Sequence, residues 1–207
     1  MKTLELFCGT KSFSKVAKEF NYQTLTLDFD KKFNPDIAKN ILDFNIEDLN
    51  GYKPDIIWAS PPCQKFSVAS LSKNWNKHDL KPKNIETYIA MSIVSKTVQI
   101  IQKLKPKYFY IENPRAMLRK LFLIPYNYTT VTYCQYGFNY MKPTDIWSNN
   151  ENWIKVAKSC KNGMSCHESA PRGSKTGTQG LKNAHERGKI PPNLIKEILN
   201  YSMENNL

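Results

Sequence analysis

Two segments of the chain carry residue types and spacing typical of a reactive centre. The first is Ser60-Pro61-Pro62-Cys63-Gln64-Lys65-Phe66-Ser67, which directly follows the apolar run 55–59. Two successive prolines fix φ and remove two backbone donors, so a strand cannot continue through them. Cys63 is therefore expected at a rigid corner just beyond a strand, where it is a candidate nucleophile.

The second segment is Glu112-Asn113-Pro114, at the end of the apolar run 108–111. A carboxyl group beside a thiolate suits nucleophilic addition to a ring, with the acid protonating or hydrogen-bonding a ring nitrogen. The alternatives are a surface or helix-capping acid at position 112 and an inert, buried cysteine, which we expect for Cys8 and Cys134. The Pro-Pro corner and its polar neighbours favour the reactive interpretation for Cys63.

A third segment, residues 5–13 with the sequence ELFCGTKSF, predicts a strand, a sharp turn at Gly9 and the start of a helix. The N-terminus of that helix is expected to be free to meet an anion. Asp28, at the end of the next strand, is placed to accept hydrogen bonds from ribose hydroxyls. The GxGxxG pattern of dinucleotide sites is incomplete, so an ordinary strand-to-helix turn is the alternative.

Alternating strands and helices must position these segments. Hydrophobic patterning predicts strands over 3–8, 24–30, 55–60 and 107–113, an antiparallel pair over 129–137 and 142–149, and helices over 13–20, 85–104 and 190–203. Residues 40–44 are expected to form a short strand or a turn, and residues 65–84 a long mobile loop. This order predicts an α/β fold with a doubly wound, mostly parallel sheet, whose ligands bind at the carboxyl ends of the strands.

The composition of the 207 residues narrows the class of protein. A formal net charge of +12 favours a polyanionic partner such as nucleic acid, although lysines on a solvated surface would give the same count. Five scattered cysteines argue against a disulfide framework. The chain has neither a membrane-length apolar run nor a signal-peptide pattern, so we expect a cytoplasmic protein without a membrane partner.

Five segments resemble, in order and approximate spacing, the motifs of the C5-cytosine DNA methyltransferases, in particular small, phage-like members. They are ELFCGTKSF, SPPCQKFS, IEN, YGFNYMKPTDIW and IPPNLIKEI. The resemblance implies the Rossmann-like fold of methyltransferases that use S-adenosylmethionine. It further implies a catalytic domain over 1–148, a short irregular target-recognition insert over 149–186, and a C-terminal helix over 187–207 that returns to the catalytic domain.

The resemblance also implies the reaction and the residues that perform it. Cys63 would attack C6 of a flipped cytosine in duplex DNA, and Glu112 would contact N3 and the exocyclic amine while C5 takes the methyl group. The implied catalytic residues are Cys63, Glu112, Asn113 and Lys142. Those implied to bind the cofactor are Phe7, Gly9, Thr10, Ser12, Phe13, Asp28, Asp43 and Pro61. Those implied to contact DNA are Gln64, Lys65, Ser67, Trp75, Arg115, Arg172 and Lys175, although Trp75 could instead be an apolar anchor for its loop.

Several departures from the family pattern leave other functions open. Thr144 stands where the family has an arginine that helps to hold the cytosine, and either Lys142 or Arg115 could replace it. A catalytically inactive DNA-binding relative is therefore one alternative. The short recognition region leaves tRNA or a free cytosine nucleotide open as the substrate, and the Lys11-Ser12 turn leaves open an altered cofactor that supplies a modified one-carbon group.

A metal site is the remaining question that the sequence raises. Cys160, Cys166 and His167 are zinc-ligand types, but their spacing is unusual and a fourth ligand is not evident. We therefore expect no metal and interpret these cysteines as incidental members of a flexible loop.

Overall fold

A seven-stranded sheet forms the centre of the computed structural model, which describes residues 1–168 and 184–203. Its strands are β1 (Lys2–Leu6), β2 (Gln23–Asp28), β3 (Ile37–Ala38), β4 (Ile56–Ala59), β5 (Tyr108–Pro114), β6 (Tyr128–Thr132) and β7 (Pro143–Ser148). The helices are α1 (Ser12–Glu19), α2 (Leu71–Asn74), α3 (Ile85–Leu104), α4 (Glu151–Val156), α5 (Ala184–Gly188) and α6 (Pro192–Met203).

The strand order is β3-β2-β1-β4-β5-β7-β6, with β7 antiparallel to both of its neighbours and the other pairings parallel. The predicted doubly wound α/β fold is confirmed. The chain runs outward from β1 to β3 and then returns to place β4 on the other side of β1. Leu6 and Ala59 are register partners, so the loops after β1 and β4 leave the sheet side by side. This switch in strand order creates the crevice where such sheets bind ligands.

Apolar side chains cover both faces of the sheet. Ile56, Ile57, Trp58 and Ala59 are all fully buried, which explains why β4 is a continuous apolar run rather than an alternating one. Helices α1 and α6 pack on one face, and α3 packs on the other. None of the helices described here is long and apolar enough to cross a membrane.

The segment 65–84 is more ordered than predicted. It contains a 3-10 turn (Val68–Ser70), helix α2 and a bridge between Trp75 and Pro82. Trp75 is only 3% exposed, its ring lies 6.0 Å from that of Phe66, and its indole N–H donates to the Lys65 carbonyl at 2.6 Å. Of the two alternatives for Trp75, the structure shows the apolar anchor of this segment, and the buried indole does not support the DNA contact.

The segment 149–186, expected to be irregular, begins with a helix that packs against the sheet. The Asn150 side chain caps α4 by accepting the Trp153 N–H at 3.2 Å, and its amide donates to the Tyr110 hydroxyl at 2.9 Å. Trp153 is fully buried edge-on against Tyr110. Near the opposite edge of the sheet, residues 41–43 form a turn, one of the two predicted alternatives.

Candidate active site

Cys63 lies in the turn that follows β4, and two backbone hydrogen bonds fix this turn. Its carbonyl accepts hydrogen bonds from the N–H groups of Phe66 and Ser67, each at 3.0 Å. The Phe66 side chain is fully buried, and its carbonyl accepts the Met117 N–H at 3.0 Å. Core packing therefore fixes the corner, while the Cys63 side chain itself stays partly exposed.

Asn113 connects the end of β5 to this corner. Its side-chain amide donates to the Pro61 carbonyl at 3.0 Å, and the residue is fully buried. Its Oδ1 has no hydrogen-bond partner within the described part of the chain. Asn113 thus links the Pro-Pro corner to β5, and its expected catalytic role stays a prediction.

Glu112 is held by a buried tyrosine that the sequence analysis missed. The Tyr133 hydroxyl donates to Glu112 Oε1 at 3.1 Å, and both side chains are buried. Burial, and then the Glu112 charge, raise the pKa of Tyr133 well above its ordinary value, so the phenol stays neutral and remains a donor. Tyr133 follows β6 directly, in a 3-10 turn whose sequence carries no signal that it faces Glu112.

Lys142 lies beside the same pair of side chains. Its Nζ is 4.4 Å from the centroid of the Tyr133 ring and donates to the Arg187 carbonyl at 2.7 Å. Burial lowers the pKa of Lys142, while the charges of Glu112 and Cys63 oppose that shift. Lys142 is therefore a buried cation close enough to interact electrostatically with both Cys63 and Glu112.

The charges around Lys142 also shift the pKa of the Cys63 thiol. Burial raises the pKa of Cys63 above its ordinary value, and the Glu112 carboxylate raises it further. Lys142 and Arg187 lower it, but by less. The thiol of the free protein is therefore mostly protonated near neutral pH, and forming the thiolate depends on the balance between Glu112 and these cations.

The two arginines near β5 do not join this cluster. Arg119 is paired with Asp145, donating from Nε to Oδ2 at 2.8 Å, and its Nη2 also contacts Oδ1 and the Thr130 hydroxyl. Asp145 is the register partner of Asn113, so it lies on the opposite face of the sheet from Glu112. Arg115 is exposed. Of the two predicted replacements for the family arginine, Lys142 is the one that the structure places near Glu112.

The turn after β1 has an unusual backbone. Phe7, Gly9 and Lys11 have φ values of 60°, 42° and 57°, and the left-handed conformation at the two non-glycine residues costs about 1–2 kcal/mol each. The Thr10 and Ser12 hydroxyls are 2.8 Å apart. Strained backbone of this kind concentrates at ligand sites, which agrees with the prediction that this turn binds a ligand.

Asp28 fixes this turn from the end of β2. Its Oδ2 accepts the Gly9 N–H at 2.9 Å, and its Oδ1 accepts the Asp30 N–H at 3.0 Å. A carboxylate has about four lone-pair positions, so Asp28 retains capacity for ribose hydroxyls. The residues of the turn and Asp28 therefore fit the adenosine part of the predicted cofactor.

Two expectations for this region are wrong. The Phe13 side chain is fully buried and stacks on Trp58 at 5.2 Å, so it belongs to the core rather than to a ligand site. The N-terminus of α1 is not free, because the buried Glu5 carboxylate accepts the N–H groups of Phe13 and Ser14 at 3.2 and 2.8 Å. An acid within the chain thus takes the place expected for a bound anion.

The buried Glu5 is expected to make the free energy of unfolding depend on pH. Burial raises the pKa of Glu5 from 4.5 to about 7. Between pH 4.5 and pH 7, Glu5 is deprotonated in the unfolded chain but still protonated in the folded protein. The free energy of unfolding therefore falls as pH rises through this range and levels off above pH 7. We expect the wild type to lose about 2–3 kcal/mol relative to Glu5→Gln between pH 5 and pH 8, measured by urea unfolding. Parallel pH profiles for the two proteins would contradict this assignment.

The remaining residues that were predicted to contact the cofactor or DNA differ in how exposed their side chains are. Asp43 is exposed in the turn that follows β3, and Pro61 is buried beside Cys63. Gln64 is exposed near the Cys63 corner, whereas Lys65 and Ser67 are partly buried and bonded to Asn74 and Ser70. Arg172 and Lys175 lie outside the residues that the structure describes.

The cysteines of the insert have a partner that their spacing did not reveal. Cys134, from the turn after β6, joins Cys160, Cys166 and His167, and one ligand atom from each lies within 4.8 Å of the others. Cys134 is buried, as expected for an inert cysteine, but it is not isolated. The missing fourth ligand is therefore present in the structure.

Comparison with known proteins identifies a matching family and a similar viral protein. Residues 1–123 match the C-5 cytosine-specific DNA methylase family. A probable DNA (cytosine-5)-methyltransferase of Frog virus 3 (isolate Goorha) is 30% identical over 222 residues, covering 96% of this chain and 99% of that protein.

Solved structures show the same fold at low sequence identity. A putative DNA modification methyltransferase from an E. coli prophage (16% identity, TM-score 0.51) and the Entamoeba histolytica methyltransferase EhMeth (14% identity, TM-score 0.52) each cover 72% of this chain. The chain spans 46% and 52% of those two structures, about half the length of each. The match over residues 1–123 and the similarity to the viral protein along nearly the whole chain establish that this protein belongs to the C-5 cytosine-specific DNA methylase family.

Proposed function

We propose that this protein transfers a methyl group from S-adenosylmethionine to C5 of a cytosine that has been flipped out of duplex DNA. The observation that carries the proposal is that Cys63 and Glu112 lie at the carboxyl ends of the adjacent strands β4 and β5, near enough for the Glu112 charge to raise the pKa of Cys63. Tyr133 holds the acid, and Lys142 supplies a nearby cation. A protein that only binds DNA would need neither a nucleophile nor a positioned acid.

The chain's own groups would activate the ring. The Cys63 thiolate adds to C6, and the electrons of the C5–C6 double bond move toward the ring nitrogen N3. N3 takes a proton delivered through the Glu112 carboxyl group and returns it when the sulfur leaves. C5 thereby gains enamine character and becomes a nucleophile. After methylation, a base removes the C5 proton and the sulfur leaves from C6, which restores the aromatic ring. Lys142 would offset the negative charge that develops during the addition.

S-adenosylmethionine, when bound, supplies the electrophilic methyl group. The turn at Phe7, Gly9, Thr10 and Ser12 would line its site, Asp28 would hold the ribose hydroxyls and Asp43 the adenine amine. The loop that carries Pro61 leaves the sheet beside this turn, because β1 and β4 are neighbours and Leu6 is the register partner of Ala59. The predicted contact by Phe13 is not part of the proposal.

The positive charge of the chain supports DNA as the substrate. The formal net charge is +12, and exposed Gln64 and Arg115 flank the Cys63 corner and the end of β5. Lysine and arginine contacts to phosphates release counterions, so we expect DNA affinity to fall steeply with salt. Base flipping then brings the cytosine to the two catalytic groups.

The test supplies labelled S-adenosylmethionine with duplex DNA of mixed sequence, tRNA or dCMP in separate reactions. We expect 5-methylcytosine in the duplex DNA alone, identified by mass spectrometry of the nucleosides and mapped at base resolution. Duplex DNA in which every cytosine already carries a 5-methyl group is the matched control and should accept no label. Methylation at the exocyclic amine, or label in tRNA or dCMP instead of DNA, would overturn the proposal.

A further inference from the structure

We propose that Cys134, Cys160, Cys166 and His167 bind one zinc ion that fastens the insert to the catalytic body. Cys134 comes from the turn between β6 and β7, whereas the other three follow α4 in the chain. Three sulfur atoms and one imidazole nitrogen converge from two separate segments. A donor set of three thiolates and one imidazole is typical of structural zinc sites.

Three of the separations between the ligand atoms match those of a tetrahedral zinc site. Zinc bonds of about 2.3 Å to sulfur and about 2.0 Å to nitrogen place the ligand atoms about 3.5–3.8 Å apart. His167 Nδ1 is 3.6 Å from Cys160 Sγ and 3.5 Å from Cys166 Sγ, and Cys134 Sγ is 3.7 Å from Cys166 Sγ. Cys134 and Cys160 are closer, at 3.1 Å, and zinc would move these two sulfurs apart by about 0.7 Å.

A simple thiol pair does not account for this arrangement. All five cysteines of the chain are free thiols in the structure. A disulfide between Cys134 and Cys160 would leave Cys166 and His167 gathered around them without a function, whereas a metal uses all four. The Gln135 amide also donates toward Cys166 Sγ at 3.3 Å, the kind of outer hydrogen bond that supports a thiolate ligand.

The ligands lie where two segments already meet. The Cys160 N–H donates to the Thr132 hydroxyl at 2.9 Å, and the Thr132 N–H donates to the Lys158 carbonyl at 3.2 Å. The Glu168 N–H donates to the Asn139 carbonyl at 2.8 Å. Beyond α4, these hydrogen bonds hold residues 158–168 beside the β6–β7 turn, and a metal bridging Cys134 to residues 160–167 would fix that part of the insert in place.

The site is connected to the acid of the active centre through one neighbouring residue of the chain. Cys134 immediately follows Tyr133, whose hydroxyl donates to Glu112. A metal at Cys134 would therefore restrict the backbone that positions this phenol. The zinc site would also fix residue 168, the last residue before the segment in which DNA contacts are predicted.

The proposal is tested on the full chain, purified without chelator or affinity metal. We expect one zinc per chain by elemental analysis, and cobalt substitution should give the visible bands of a tetrahedral ion with sulfur-to-cobalt charge transfer. Removing the metal with a chelator should lower the melting temperature by more than about 5 °C, and zinc should restore it. His167→Cys should keep the ion, because it replaces one zinc ligand with another.

Variants separate this site from the catalytic one. Cys160→Ala and Cys166→Ala should lower the zinc content at least tenfold, whereas Met164→Ala, an exposed position in the same loop, should not. Cys63→Ser should keep full zinc while losing methyl transfer, so failure of the catalytic proposal would leave this one intact. Wild-type protein with less than a tenth of an equivalent of any metal, or with a Cys134–Cys160 disulfide by non-reducing peptide mapping, would overturn the proposal.

Discussion

Replacing Cys63 with alanine is expected to reduce methyl transfer to duplex DNA at least about a thousandfold, because the ring can no longer be activated by addition at C6. Binding of S-adenosylmethionine, measured by calorimetry, should change little, since Cys63 lies beyond the turn that would hold the cofactor. Transfer at more than a tenth of the wild-type rate would refute the covalent mechanism.

Adduct formation gives this prediction a direct readout. Cytosine with fluorine in place of the C5 hydrogen cannot complete the final elimination, so wild-type protein should remain covalently attached to such DNA after denaturation. Cys63→Ala should form no adduct. Cys8→Ala is the matched control: its thiol is buried, burial raises its pKa to about 12, and the variant should retain the adduct.

Replacing Glu112 with glutamine is expected to slow methyl transfer by about 10²–10⁴-fold, because the amide cannot hold an acidic proton at N3. The same change should make Cys63 more reactive. Glu112 raises the pKa of Cys63, so removing its charge increases the thiolate fraction at a given pH. Alkylation of Cys63 by iodoacetamide at pH 8 should therefore become faster while methyl transfer becomes slower.

These opposite effects distinguish a catalytic acid from a structural one. A Glu112→Gln variant that lost its fold would show alkylation of all thiols, including the buried Cys8, and peptide mapping resolves that case. Glu19→Gln, an exposed acid on α1, is the matched control and should leave both rates unchanged. Equal slowing of alkylation and methyl transfer by Glu112→Gln would argue against the assigned role.

The sequence by itself determined the class of the sheet and predicted two reactive positions. Continuous apolar runs ended by Pro61-Pro62 and by Asn113-Pro114 predict buried parallel strands with polar groups at their carboxyl ends. Such groups gather at one edge of a sheet, so Cys63 and Glu112 could be assigned together. The helix over 85–104 was also predictable from the sequence, because apolar periodicity over twenty residues is a strong local signal.

Only the tertiary structure decided which side chains complete the site. Tyr133 contacts Glu112 and Cys134 joins Cys160 because antiparallel strands β6 and β7 and the segment after α4 fold back on one another. Local pattern carries no information on such contacts, because they depend on register and on the packing of distant segments. The same reason explains why the sequence could not decide the positions of Trp75 and Phe13, whose aromatic side chains suit a ligand or a core equally well until the neighbours that bury them are known.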